Sequence, residues 1–314
     1  MAPRKVIILT DPGQDQAVAL LMAFARPDLF DVLGLVATAG NIDLSYTVGN
    51  CLKLLELAGR PEIPVFAGCL RPIKRDLVTA AHVHGPTGLD GYDFPEPAIR
   101  AQSKHGVDFI IETLRAAEPG DISIFSLSPL TNLGVALIQA PEIAGRIREI
   151  VMMAGAYFEV GNITPTAEFN VYVDPEAADV VLRSGIPMVM LPLDVTHQMR
   201  STRARLDAFS AIGNRCGAAV DGMMSFSEAF DLQKYGWDGA PLHGPCVPAY
   251  MMKPELFESR LINVTVETGS ELTLGMTVAD WWQITNRRRN VTYVRNGDPV
   301  GYYDLMVETI SRLP

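Results

Sequence analysis

Cysteine is scarce in this chain, with four in 314 residues at positions 51, 69, 216 and 246. They show no CxxC pair and no zinc-ligand spacing, which argues against a disulfide scaffold or a structural zinc module. No apolar run approaches the ~20 residues of a membrane-spanning helix. Residues 1–5 lead straight into a strand without a signal-peptide pattern, so a cytoplasmic protein with free thiols is expected, away from any membrane. Basic charge is also short: 26 Lys and Arg stand against 36 Asp and Glu, a net charge of −10. Such a surface repels nucleic acid and suits a small neutral or cationic ligand. The one dense basic run, Arg287-Arg288-Arg289 after Trp281-Trp282, reads as a solvated loop or a contact between subunits. No linker, repeat or low-complexity tract interrupts the chain, and one domain spanning 1–314 is the expectation.

What is present is a β-α rhythm. Apolar strands are expected at 6–9, 32–37, 65–67, 122–126, 150–153 and 187–191. Amphipathic helices fall between and beyond them, at 15–25, 45–58, 107–117, 130–140 and 175–184. Ser45 is a plausible N-cap for the second helix. Strands that are apolar throughout need cover on both faces. The pattern therefore predicts an open, Rossmann-like α/β fold with a mostly parallel sheet. Further along, 204–244 reads as helix and then loop, 264–267 as a more alternating strand, 280–299 as irregular, and 304–313 as a closing helix.

Polar groups gather where strands end, the place where open α/β sheets bind ligands. The first strand empties into Asp11-Pro12-Gly13-Gln14-Asp15. The second ends at Thr38-Ala39-Gly40-Asn41, and the fourth runs into Ser128-Pro129-Leu130-Thr131-Asn132. A long polar loop from Gly161 to Asn170 carries Asn162, Glu168 and Asn170. Three such side chains converging on one point suit a polyhydroxylated ligand such as a sugar; the alternative is that they satisfy the loop's own backbone. His84 and His243 have glycine neighbours that let a ligand approach, whereas His82, His105 and His197 read as structural. Phe226, Phe230, Tyr235 and Trp237 are candidates to wall a pocket, with core or interface packing as the alternative.

In their order and joint presence these stretches resemble the inosine-uridine-preferring nucleoside hydrolase family. Leu52 to Arg60, His84-Gly85, Pro192 to His197 and Gly275 to Val278 extend the likeness through nearly the whole chain. The resemblance implies hydrolysis of the N-glycosidic bond of a ribonucleoside or nucleoside-like N-glycoside, releasing base and pentose, by a homodimer or homotetramer. It implies that Asp11 takes the proton of the attacking water and ligates Ca²⁺, with the Leu127 carbonyl in the calcium shell. Asp15, Asn41, Asn162, Glu168 and Asn170 would hold the ribose. His243 would protonate the leaving base in a pocket shared with His84, Phe226, Tyr235 and Trp237.

Three positions of these motifs depart from the family's pattern. Its first motif, Asp-x-Asp-Pro-Gly-x-Asp-Asp, has Leu9 in its first place and Gln16 in its last, and its His-Asp pair is His243-Gly244. Gln16 and Gly244 stand where the family has calcium-ligating aspartates. Calcium takes about 6–8 oxygens and its affinity follows ligand charge, so the expected cofactor is a poorly held calcium ion or none. Three readings are open: a glycosidase with little or no metal, with Asp11 as base; a site where a ligand cation, Lys234 or Arg200 fills the gap; or a catalytically silent nucleoside- or sugar-binding protein. Retention of Asp11, Asp15 and His243 favours chemistry.

Overall fold

The computed structural model describes residues 2–314. The chain opens with β1 (Arg4–Thr10), α1 (Gln14–Phe24), β2 (Phe30–Ala37), α2 (Leu44–Leu57), β3 (Val65–Ala67), α3 (Ala81–His84) and α4 (Gly106–Ala116). It continues with β4 (Ile122–Ser126), α5 (Thr131–Gln139), β5 (Ile147–Met153), α6 (Phe169–Val173), α7 (Pro175–Arg183), β6 (Met188–Leu191) and α8 (Leu193–Thr196). The last third holds β7 (Arg200–Thr202), α9 (Arg203–Ser210), α10 (Arg215–Tyr235), β8 (Gly239–Pro241), α11 (Cys246–Met252), β9 (Phe257–Val266), β10 (Thr277–Asp280), β11 (Val291–Gly297) and α12 (Pro299–Ile310).

Nine strands form one sheet in the order β10-β9-β11-β6-β5-β4-β1-β2-β3. From β3 to β11 every pairing is parallel; β9 and β10 add antiparallel at the far edge. β7 and β8 form a separate two-stranded antiparallel pair. Strand order reverses between β1 and β4, and crevices open at such a switch point beyond the carboxyl ends of the strands. The turns after β1, β2 and β5 meet there.

Alternate residues of β1 feed opposite faces: Val6 and Ile8 pack with α1, α2 and α12, while Ile7 and Leu9 pack with α4, α5 and α7. Each large apolar side chain taken from water in this way is worth roughly 1.5–3 kcal/mol. α1 is buried along its whole length, which holds the Asp11 turn between two packed elements.

Three expectations need correction. The 280–299 stretch is not wholly irregular, because β11 lies within it and pairs with both β6 and β9. Val291, Tyr293 and Val294 are fully buried there, but adjacent arginines and asparagines mask the apolar pattern. The N-cap of α2 is Asp43 rather than Ser45. The closing helix starts at Pro299, with the Asp298 side chain accepting from the Val300 N–H. Arg287, Arg288 and Arg289 are exposed. Among the described residues no helix is long and apolar enough to cross a membrane.

Candidate active site

Asp11 leaves β1 fully buried. Its Oδ2 accepts the Asn41 N–H at 2.8 Å, and Asn41 Nδ2 donates back to the Asp11 carbonyl at 3.0 Å. The contact requires glycine at position 40, where a Cβ would overlap the Asp11 carboxylate. Oδ1 is buried without a hydrogen-bond partner among the described residues. Burial holds the Asp11 carboxyl well above its ordinary range, with the charges of Asp15 and Glu168 adding to the shift and the Asn41 N–H opposing it.

Asp15 and Gln16 follow in the first turn of α1. Asp15 Oδ2 accepts the Gly244 N–H at 2.9 Å. Burial pushes its carboxyl up to about 6 against the pull of that bond. Gln16 Oε1 accepts the Gly13 N–H at 3.1 Å, so the amide satisfies one of the free donors that every helix start presents. A Cβ at 244 would sit 3.1 Å from the Asp15 carbonyl oxygen and 3.2 Å from Gln16 Cα. Position 244 therefore rests against the opening of α1, although 229 residues separate it from Asp15.

A single cavity lies over this turn, with Asp15, Gln16, Asn41, Asn162, Glu168, Asn170, His84, Tyr235 and His243 in its lining. Asp11 is behind Asn41 rather than on the wall. Leu127 is buried off the lining, its N–H donating to the Leu9 carbonyl at 2.9 Å.

The loop residues have two tasks. Glu168 caps α6, accepting from the Gly155, Asn170 and Val171 N–H groups. Asn162 Oδ1 accepts the Phe169 N–H at 2.9 Å, and Asn170 Nδ2 donates to the Met153 carbonyl at 3.0 Å. Satisfaction of local backbone thus coexists with a place on the cavity wall. Burial pushes the Glu168 carboxyl up to about 7 despite three N–H donors, and Asp15 adds to the shift.

The two histidines are held in complementary states. His84 Nδ1 lies 2.7 Å from Gln14 Oε1, while Gln14 Nε2 donates to the His84 and Asp90 carbonyls. An amide oxygen only accepts, so Nδ1 carries the proton and Nε2 is an acceptor. Burial lowers His84 to about 4. His243 Nδ1 lies 2.7 Å from Thr196 Oγ1, which has no other hydrogen-bond partner among the described residues. A hydroxyl can donate or accept here, and the arrangement in which it donates leaves the ring proton on Nε2, toward the cavity. Burial, reinforced by His197, His84 and Lys234, holds His243 well below its ordinary value. It is therefore a neutral donor.

α10 supplies the facing wall through Met224, Ser227, Phe230, Asp231, Lys234 and Tyr235. Lys234 Nζ donates to the Asn162 carbonyl at 2.6 Å, which ties this wall to the polar loop. Phe226 is 44% exposed and does not line the cavity. Trp237 is also off the lining; it stacks on Tyr235 at 4.4 Å with its edge toward His197. Sequence reasoning missed Gln14, Thr196 and Asp231.

The inosine-uridine preferring nucleoside hydrolase family model matches residues 6–304. The chain is 49% identical over 310 residues to the Schizosaccharomyces pombe protein C1683.06c, covering 99% of this chain and 100% of that one. It is 42% identical over 309 residues to the pyrimidine-specific ribonucleoside hydrolase RihA of Shewanella baltica, covering 98% of this chain and 96% of that one. Its fold is similar to that of a purine-preferring ribonucleoside hydrolase from Gardnerella vaginalis, with a TM-score of 0.91, 28% identity and 98% of each chain covered.

Proposed function

We propose residue roles for a chain that belongs to the inosine-uridine preferring nucleoside hydrolase family and is an N-glycosidase of nucleosides: Asp11 is the general base, and the substrate is a pyrimidine ribonucleoside. Support for the substrate comes from the pyrimidine-specific relatives at 42–43% identity. The observation that carries the catalytic reading is the unpartnered, buried Asp11 Oδ1 behind a cavity lined by Asp15, Glu168 and Asn170.

Cleavage builds positive charge on the sugar and negative charge on the departing base. Asp15, Glu168, Asn162 and Asn170, with Asn41, are placed to hold ribose hydroxyls, and the first two stabilise the cationic sugar once ionised. A water accepted by Asp11 Oδ1 attacks the anomeric carbon and gives its proton to that oxygen. His243 donates a hydrogen bond from Nε2 to the departing base, a role that a neutral imidazole fills. His84 and Tyr235 border the base.

The family is typically calcium-dependent, and the donors in this chain fit the ion poorly. Asp11 has one oxygen committed to Asn41, Gln16 Oε1 is committed to Gly13, and residue 244 offers an N–H already aimed at Asp15. The Leu127 carbonyl adds one neutral oxygen. This set falls short of the charge and oxygen number that calcium requires, so the roles above use only this chain's own groups.

Residues 1–314 read as one domain, since the main sheet takes strands from Arg4 to Gly297. The four free thiols suit a cytoplasmic location. Exposed Trp282 and Ile284, beside the edge strand β10, suit a homo-oligomer contact. A panel assay of ribose release from common ribonucleosides tests the function. Turnover led by a pyrimidine ribonucleoside supports the reading, and binding without release would favour the silent binding protein.

A further inference from the structure

The cavity's polar groups divide into two sets. Asp15, Glu168, Asn170 and Asn41, at the sheet side, form the hydroxyl-binding floor. With ribose on that floor, the base attached to it has α10 and His82, His84 and His243 among the walls it can reach. On the α10 wall Ser227 Oγ donates to the Met224 carbonyl and Lys234 Nζ to the Asn162 carbonyl. The Asp231 carboxyl and the Tyr235 hydroxyl make no hydrogen bond among the described residues, and both line the cavity. The Asp231 carboxyl is half-buried in this wall, in line with Phe230 and Tyr235, and is free to meet a ligand in the cavity.

Burial favours the acid form of Asp231, against the pull of its nearest positive charge, Lys234. Lys234 and Tyr235 flank it on α10, Asp15 faces it from α1, His82 and His84 from α3, and Glu168 and His243 complete the lining. Burial pushes the Asp231 carboxyl up to about 6, Asp15 adds to the shift, and Lys234 draws it back. A proton-bearing carboxyl presents one donor and one acceptor side by side. Cytosine presents the matching pair, an N3 acceptor beside an N4 amino donor.

Resting on the hydrolase reading above, we infer that Asp231 recognises the N3/N4 edge of an aminopyrimidine nucleoside and is the acid that protonates its leaving base. The Asp231 O–H proton passes to cytosine N3 as the C1′–N1 bond breaks, and the bonding pair leaves with the base, which departs as neutral cytosine. The water oxygen bonds to C1′ and its proton goes to Asp11. Proton exchange with solvent then returns Asp11 to its ionised form and Asp231 to its acid form, so the sum is nucleoside plus water giving base plus ribose. His243 contributes a hydrogen bond and Asp231 a transferred proton. Uracil is the better leaving group of the two pyrimidines, because its ring carries negative charge more readily, and it has less need of that proton.

The test is steady-state release of ribose from cytidine and from uridine by the full chain and by Asp231→Asn. Asparagine keeps a donor and an acceptor for either base but has no proton to transfer. The expected result is a fall in kcat for cytidine of about 100-fold or more, with KM within a few-fold and a much smaller fall for uridine; a native circular dichroism spectrum and Tm show that the variant is folded. A parallel fall for both substrates, or no fall for either, overturns the role of Asp231 and leaves the hydrolase reading standing. A wild-type chain that cleaves neither nucleoside overturns both.

Discussion

The Gly244 backbone N–H donates to Asp15 Oδ2 at 2.9 Å, closing the start of α1 against a loop from the far end of the chain. A side chain at 244 would emerge within 3.1–3.2 Å of the Asp15 carbonyl oxygen and Gln16 Cα. Gln16 is itself turned back onto Gly13. These two residues close up the place where the resemblance puts two calcium-ligating carboxylates.

The first prediction concerns that place. The double substitution Gln16→Asp with Gly244→Asp should strengthen calcium binding well beyond that of the native chain. Millimolar calcium should then raise the Tm of the double variant by several degrees and move the native Tm much less, as binding to the folded state alone requires. Gly244→Asp alone should lower Tm, because it sets a carboxylate beside Asp15. Differential scanning calorimetry with and without calcium reads all three.

Asp11→Asn should reduce kcat by at least about 100-fold while the circular dichroism spectrum and Tm stay close to native. The native enzyme should also lose activity at a higher pH than an ordinary carboxylate base would allow, because burial holds Asp11 above its usual range. The acid limb of a kcat/KM profile measures this directly.

Stability of the ligand-free chain should fall as pH rises. Glu168 is raised to about 7 from 4.5 and Asp15 to about 6 from 3.8, so the folded state holds both protons more tightly than the unfolded state. Their contribution is complete below about pH 4 and is lost as pH passes through 6 to 7. Tm should be higher at pH 5 than at pH 8, and Glu168→Gln should reduce the difference.

Thr196→Val should slow turnover several-fold with KM little changed. It frees His243 Nδ1, and the ring proton is then no longer fixed on Nε2. A shifted imidazole nitrogen resonance would confirm that the tautomer has changed.

Residues whose role depends on short sequence spacing were legible in advance. The Asp11 turn follows from an apolar strand meeting Pro-Gly, and the 161–170 loop from its density of amides; Asp15, Asn162, Glu168 and Asn170 do line one cavity. Legibility failed where tertiary packing decides the outcome. β11 hides its fully buried Val291 and Tyr293 among polar neighbours and belongs to the sheet only because β6 and β9 flank it. On α10, Phe226 and Asp231 are five positions apart, and the rotation of the helix against α3 turns Asp231, not Phe226, into the cavity. The hydrogen bonds that fix His84 and His243 come from Gln14 and Thr196, 70 and 47 residues away, beyond the reach of any local pattern.

The most direct test of the central claim is the rate of ribose release from a pyrimidine ribonucleoside by metal-stripped enzyme, measured in excess chelator and again in millimolar calcium. Equal, Asp11-dependent rates under both conditions are the predicted result. Activity that vanishes with chelator and returns with calcium would contradict it.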